Sequence, residues 1–370
     1  MLQCSTANVC AIDAPRLWSP TRSRKRCPGR NVATIKDVAR ESGVSVTTVS
    51  HVVNDTRAVA TETRARVEEA VRRLDYRPSS VARALKANRT HTIGMLVTTS
   101  TNPFFAEVIH GVETGCFEAG YSLILGNTGD VSERLLAYWR TLAGRRIDGL
   151  VVMTTNAAPE FFDELTNLRR LPVIALDTRS DAADCVIKDD SYIGGQLAGR
   201  HLASFGFRRI ACVTGPAAHP RSIERLDGFR AGLAESGITL APSLIRTSDL
   251  TIAGGHAAVF ELLRLDAERP DAIFCFNDML AMGGLRAAHE QGLDVPGDVS
   301  IMGYDDTEFA AFTAPPLTTV QQPALEIGRT AARAMIEHLD EGRALPRVIS
   351  LEPRLVVRRS VGPAKGGRTH

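Results

Sequence analysis

The sequence lacks the signatures of several large classes of protein. No apolar run approaches the roughly 20 residues of a membrane-spanning helix, so we expect no partner in the membrane. The 7 cysteines are an odd number without a C-x-x-C pair, which argues against a disulfide framework or a standard zinc site and favours the reducing cytoplasm. The first residues also lack the charged start, apolar run and cleavage site of an export signal.

The sequence also lacks the common enzyme motifs. It has no G-x-G-x-x-G after a strand, no G-x-x-x-x-G-K-[ST], no G-x-S-x-G and no H-E-x-x-H. Its 9 histidines show no metal-ligand spacing. Asp305 and Asp306 are adjacent, and neighbouring strand residues point to opposite faces, so they make no obvious acid–base dyad. We therefore expect no enzymatic activity, no metal site and no cofactor.

What the sequence does have is an uneven distribution of charge. The formal net charge of the 370 residues is only +2. Residues 1–90, however, carry 17 Lys and Arg against 8 Asp and Glu, which leaves the remainder of the chain acidic. A basic N-terminal region followed by an acidic remainder indicates a nucleic-acid-binding module joined to a separate domain.

The basic N-terminal region contains a recognisable helical pattern. Residues 1–32 have no helical or strand period, so we expect a disordered extension or a start site assigned too early. Short helices follow: Thr34 opens a capping-box pattern, Gly43 ends the first helix, and Ser45 caps the second. A longer supporting helix begins at Thr61. This order of helix, short turn, helix and support is the helix-turn-helix pattern.

In the acidic remainder of the chain, apolar strands alternate with helix-length segments. Runs such as IGMLV, GLVVM and AIFCF are nearly continuous in apolar residues, which is typical of parallel strands covered by helices on both faces. About ten such runs, in two successive groups, predict an α/β core of two doubly wound parallel-sheet subdomains facing a cleft. Ligands bind such sheets at the carboxyl ends of the strands.

Residues 32–96 resemble a known family. The string VATIKDVARESGVSVTTVSHVVNDTRAVATETRARVEEAVRRLDYRPSSVARALKANRTHTIGML is similar to the DNA-binding end of lactose-repressor (LacI) family regulators. The similarity continues to about residue 360; THTIGMLVTTSTNPFF, CFNDMLAMG and MGYDD resemble ribose-type members most and purine-type members next. The resemblance implies a homodimeric, ligand-responsive repressor of double-stranded operator DNA with a periplasmic-binding-protein-like core.

The resemblance also implies where the domains begin and end. A hinge helix and linker would join the helix-turn-helix domain to the effector-binding and dimerisation core. The chain would cross between the two core subdomains three times. The expected segments are the helix-turn-helix domain at 33–78, the hinge at 79–90, subdomain 1 at 91–190 and 322–349, subdomain 2 at 191–321 and 350–360, and a tail at 361–370.

The same resemblance implies which residues bind DNA. The second helix would lie in the major groove with Val46, Thr47 and His51 at base edges, where Thr47 can donate or accept and Val46 can contact only apolar groups. Leu85, followed by Lys86, would wedge into the minor groove from a hinge helix that folds on the operator. The other expected residues at the DNA end, as phosphate contacts, caps or neighbours of the operator, are Thr34, Ser45, Thr48, Ser50, Asn54 and Arg57.

The resemblance places a small-molecule effector in the cleft. The expected contacts are Asn102, Phe104, Phe105, Asp177, Arg225, Asn277, Asp305 and Gln321. The two phenylalanines would stack on a sugar ring, and the polar side chains would bind its hydroxyls, with Asp305 mattering most. Ribose or a related pentose is the expected effector and a purine the alternative, while Arg221 and Ser222 would also suit a nucleoside or a phosphate. An exported sugar-binding protein and a sugar-processing enzyme are the alternatives from other classes.

Overall fold

The structure is a computed structural model that describes residues 33–76, 89–154, 159–167, 171–177, 182–217, 219–265 and 269–363. The chain divides into two compact units, one within residues 1–83 and the other within residues 84–370. The predicted N-terminal extension, the predicted hinge contacts Leu85 and Lys86, and residues 364–370 of the predicted tail lie outside the described residues.

The N-terminal unit is a small helical bundle. Its helices are α1 (Ile35–Ser42), α2 (Val46–Val53) and α3 (Thr61–Arg73). Helix α1 ends at Gly43, whose φ of 67° is the left-handed conformation that glycine adopts without strain. The apolar faces meet in one core of Val38, Ala39, Val49, Val52, Val67 and Ala70. The helix-turn-helix arrangement predicted from the sequence is confirmed.

The second unit begins with alternating strands and helices. These are β1 (Thr92–Val97), α4 (Pro103–Glu118), β2 (Ser122–Asn127), α5 (Ser132–Gly144), β3 (Gly149–Met153), α6 (Pro159–Asn167), β4 (Val173–Leu176) and β5 (Cys185–Asp189). A second series follows as α7 (Ser191–Ala203), β6 (Ile210–Thr214), α8 (Pro220–Ala234), β7 (Ile245–Thr247), α9 (Ile252–Leu263), β8 (Ala272–Cys275), α10 (Asp278–Glu290), β9 (Ser300–Asp305) and β10 (Thr318–Gln321). The last elements are α11 (Ala324–Glu341), β11 (Val348–Leu351) and β12 (Arg354–Val356).

These strands form two six-stranded sheets. The first has the order β11-β5-β4-β3-β1-β2 and is parallel throughout. The second has the order β12-β10-β9-β8-β6-β7 and is parallel except for β12, which runs antiparallel to β10. The two doubly wound subdomains predicted from the sequence are confirmed; β11 is a short addition to the expected strands, and β12 lies in the expected final segment of subdomain 2.

The chain passes from one sheet to the other three times. It leaves the first sheet after β5, returns to it after β10, and leaves again after β11. The third passage lies between Leu351 and Arg354, a few residues beyond the expected boundary at 349/350. The core also continues past residue 360, because Val361 is buried and the Gly362 carbonyl accepts a hydrogen bond from Ser300 Oγ at 3.1 Å.

Close packing of helices on each sheet buries the apolar strands. One apolar cluster fills the second subdomain, and two clusters lie on the two faces of the first sheet. Helices α4 and α11 are in contact through Gly111 and Gly328, where a Cβ atom on either residue would overlap backbone of the other helix. None of the described helices is long and apolar enough to cross a membrane.

Candidate functional site

A cavity of about 620 Å³ lies between the carboxyl ends of the two sets of strands. This is where parallel α/β sheets bind ligands, because helices begin there and the loops are free to vary. Seven of the eight predicted effector contacts line the cavity: Asn102, Phe104, Phe105, Asp177, Arg225, Asn277 and Asp305. The volume is large enough for a monosaccharide or a nucleobase, since ligand pockets generally begin at about 300 Å³.

Gln321, the eighth predicted contact, does not line the cavity. Its amide donates to Asp306 at 2.9 Å, and the neighbouring Gln322 takes the expected place. Gln322 is buried and donates from Nε2 to Asp305 Oδ1 at 2.6 Å. The prediction was wrong by one position, because successive residues at the end of a strand point to opposite sides.

The rings of Phe104 and Phe105 are not arranged to stack together on a sugar ring, contrary to the prediction. Their rings are 5.6 Å apart and inclined by 72°, so they cannot stack on two opposite faces of one flat ring. Phe104 belongs to the core under the first sheet, whereas Phe105 is half-buried. Phe276, from the end of β8, also lines the cavity and was not predicted.

Both predicted asparagines also cap helices. Asn102 Oδ1 accepts from the Phe104 amide at 3.0 Å and starts α4, with Pro103 as the first helical residue. Asn277 Oδ1 accepts from the Leu280 amide at 2.8 Å, and its Nδ2 donates to the Leu250 carbonyl at 3.0 Å. Each asparagine is therefore held in place before any ligand binds, and part of its hydrogen-bonding capacity is already used.

Arg221, on the first turn of α8, joins the two subdomains across the cavity. It comes from the second subdomain and lies 3.5 Å from Asp177 and 3.8 Å from Asp189, both of the first. A third carboxylate, Glu224, lies 2.9 Å away. The side chain is only 4% exposed, so these carboxylates replace water as its surroundings.

Arg225 lies one turn further along α8 and is held by groups of several kinds. Its guanidinium lies over the ring of Tyr304, 3.4 Å from the centroid, which is a cation–π contact. It donates to Ser191 Oγ at 3.1 Å and to the carbonyl oxygen of Phe276. The arginine is thus fixed in the cavity wall.

Burial dominates the electrostatics of the cavity carboxylates. Burial, together with the charge of Asp189, raises the pKa of Asp177 to about 7, although Arg221 opposes this shift. Burial and the charge of Asp278 raise the pKa of Asp305 well above its ordinary value. The φ angles of Asp177 and Asp305 are positive, 51° and 116°, which is uncommon for residues other than glycine.

Several buried polar atoms in the cavity wall make no hydrogen bond within the described part of the chain. The donors are Arg221 Nε, Arg221 Nη2 and Arg225 Nε, and the acceptors are Asp177 Oδ1 and Gln322 Oε1. A buried polar group without a hydrogen bond costs about 1–3 kcal/mol. The cavity is therefore suited to a ligand that both donates and accepts hydrogen bonds.

In the helical unit, the start of α2 presents two of the predicted DNA contacts. Val46 and Thr47 are exposed at its first turn, and Val46 retains 41% exposure although it is apolar. His51 lies one turn further on and its Nδ1 is 2.8 Å from Thr56 Oγ1, which orients the ring. Arg57 is exposed in the loop before α3.

The other predicted DNA contacts stabilise helix ends. The Asp37 carboxylate accepts from Thr34 N at 2.9 Å and from Thr34 Oγ1 at 2.7 Å, which lowers the pKa of Asp37. Ser45 Oγ accepts from Thr48 N at 3.0 Å. Asn54 Nδ2 donates to the Ser50 carbonyl at 2.9 Å. These side chains fix the ends of α1 and α2, as expected from the capping patterns.

Comparison with family models covers both units. The model described as periplasmic binding proteins and sugar binding domain of LacI family matches residues 90–358. A second, described as bacterial regulatory proteins, lacI family, matches residues 34–79. The HTH-type transcriptional repressor PurR of Aliivibrio fischeri is 44% identical over 333 residues, which are 89% of this chain and 98% of that protein. A PurR of Haemophilus influenzae is 42% identical over 89% of this chain and 99% of its own length.

Solved structures of regulators share the fold. The lac repressor dimer bound to operator and the anti-inducer ONPF is 28% identical, with a TM-score of 0.80 over 89% of this chain and 99% of its own. A transcriptional regulator from Enterococcus faecium with bound ribose is 31% identical, with a TM-score of 0.66 over 74% of this chain and 99% of its own. The relatives compared are thus repressors and regulators rather than enzymes.

Proposed function

This chain belongs to the LacI family of bacterial regulatory proteins, and we propose that a pentose, ribose first, is the effector that releases it from its operator. Membership makes the protein a DNA-binding, ligand-responsive transcriptional repressor, and repressors of this family bind operator DNA and small-molecule effectors as dimers. The identity of the effector and the direction of its effect are the proposed part.

The mixture of buried donors and acceptors without hydrogen bonds in the cavity wall carries the proposal. Arg221 and Arg225 offer N–H groups, whereas Asp177 and Gln322 offer oxygen atoms. A sugar hydroxyl both donates and accepts, so one small polyol satisfies both kinds of atom. An anion would satisfy the arginines, but it would also face the carboxylate of Asp177, which already pairs with Arg221 Nε at 3.5 Å, and it would leave Gln322 Oε1 without a donor. Phe105, at the start of α4, adds an apolar contact for a sugar ring.

A purine is the second candidate, and the similarity to relatives named PurR at 42–44% identity favours it. A base requires donors and acceptors in the plane of its ring, which the Arg221–Asp177 pair offers side by side. A regulator of this type would bind its operator more tightly with the effector present. The two candidates therefore differ in the sign of the response.

At the DNA end, we propose that α2 lies in the major groove. Val46 and Thr47 are the exposed residues of its first turn, which is the part of a recognition helix that contacts base edges. Thr47→Ala should reduce specific binding by about 1–3 kcal/mol and relax preference at one base pair. The proposed minor-groove wedge of Leu85 belongs to the segment outside the described residues.

Titration of the operator-bound protein with ribose and with hypoxanthine tests the effector. A pseudo-palindromic site selected from random DNA by the full-length protein would serve as operator. Release by ribose, lost in Asp305→Ala while operator binding persists, supports the proposal. Tighter operator binding with hypoxanthine and no response to ribose would establish the purine alternative instead.

A further inference from the structure

Helix α11 runs from the effector cavity to Arg89, a residue near the start of the second unit. Two residues before the helix begins at Ala324, Gln322 binds Asp305 twice: its backbone N–H donates to the Asp305 carbonyl at 3.1 Å, and its side chain donates to Oδ1 at 2.6 Å. The helix has 18 residues and is therefore roughly 27 Å long. Its first end is thus tied to the cavity.

The other end of α11 holds Arg89, the first described residue after the segment 77–88. Arg89 Nη1 donates to Asp340 Oδ1 at 2.7 Å, and Nη2 donates to the carbonyl oxygen of Leu339. Tyr121 Oη donates to the same Asp340 oxygen at 2.8 Å. A cation at the last carbonyls of a helix is also favoured by the helix dipole. We call Arg89, Asp340 and Tyr121 the junction.

The residues after Arg89 are also bound to the first subdomain. The Thr90 amide donates to Asp148 Oδ1 at 2.9 Å, and its hydroxyl donates to the Arg146 carbonyl at 2.9 Å. The ring of His91 lies 5.0 Å from that of Tyr121. Residues 89–91 are therefore held on the first subdomain by the junction and by these contacts.

Helix α11 packs closely against α4. At Gly111 and Gly328 the two helices approach so closely that neither position has room for a Cβ atom. Helix α4 itself starts at Asn102, Phe104 and Phe105 in the cavity wall. Both helices of this pair therefore begin at the effector site and are in close contact along their length.

We propose that α11 transmits the state of the cavity to the DNA-binding unit, and that Asp340 is the positioning residue which passes it on through Arg89. This rests on the proposed function, in which an effector in the cavity alters operator affinity. The ion pair itself is about 40% exposed on each side. Ion pairs as exposed as this one change the folding equilibrium constant by up to about fivefold. Removing the Arg89–Asp340 pair should therefore leave the core stable.

A double-mutant cycle on the full-length protein tests the junction without any effector. Arg89→Gln and Asp340→Asn should each change affinity for the selected operator by about two- to fivefold, and the double variant should change it no further. Glu341→Gln is the matched control: it removes the same charge from the same helical turn, where Glu341 pairs with Arg343 at 2.9 Å and not with Arg89. Control and wild type should bind operator equally.

Two further measurements separate the inference from its premise. With ribose or hypoxanthine, whichever acts on the wild type, the effector should bind Asp340→Asn with unchanged affinity while its effect on operator affinity falls towards none. If neither compound acts on the wild type, the effector proposal is wrong and the effector-free cycle still decides the junction. Additive effects, wild-type operator affinity in Asp340→Asn, or a loss of thermal stability alone would overturn the inference.

Discussion

At the scale of single residues, the difference between Gln321 and Gln322 can be measured directly. Gln322→Ala should weaken effector binding by about 1–3 kcal/mol, because it removes Oε1, which lines the cavity without a hydrogen bond, and the donor that holds the Asp305 carboxylate in place. Gln321→Ala removes the same amide from the neighbouring position, where it contacts Asp306 outside the cavity, and should bind effector normally. Calorimetry of both variants decides the assignment, and the reverse order of affinities would restore the original expectation for Gln321.

Asp177 provides a pH dependence at the same scale. Its pKa of about 7 in the folded protein lies above the ordinary value of 3.8, so the folded state retains a proton that the unfolded state loses. The resulting stability is complete below about pH 4 and is lost as pH rises through 7. Thermal unfolding of Asp177→Asn between pH 4 and 7 should therefore show a flatter profile than wild type, by a few degrees. Asp163→Asn, an exposed carboxylate on α6, should keep the wild-type profile.

At the scale of elements, the contact between α4 and α11 depends on glycine. A methyl group on Gly328 would overlap the Val108 carbonyl oxygen, so Gly328→Ala should lower the free energy of unfolding by about 1–3 kcal/mol. Gly144, the last residue of α5, has nothing within 4 Å of a built Cβ atom, and Gly144→Ala should stabilise the protein by up to about 1 kcal/mol. Denaturant unfolding distinguishes them; equal effects would contradict the close packing.

At the scale of the whole molecule, effector and operator must influence each other equally. If the effector changes operator affinity by some factor, operator changes effector affinity by the same factor, typically worth about 1–3 kcal/mol. Measuring each affinity with and without the other ligand should return one coupling factor. Unequal factors at equilibrium would mean that the effector also binds outside the cavity or changes the association of the two copies.

The sequence by itself determined those features that depend on local pattern. Capping residues and the glycine at residue 43 define α1 and α2, since these signals act within one turn of the chain. Continuous apolar runs indicated parallel strands buried on both faces, and their carboxyl ends indicated the cavity. Seven of the eight effector contacts that the family resemblance implied also line that cavity.

Only the tertiary structure decided relations between distant segments and the orientation of single side chains. Arg221 meets Asp177 and Asp189, and Arg89 meets Asp340, because separate elements fold against each other, which no local period encodes. The inclination of Phe104 to Phe105 follows from packing under the first sheet. The exchange of Gln321 for Gln322 has a similar cause: one residue along an extended chain turns a side chain to the other face, and the pairing of strands determines which face adjoins the cavity.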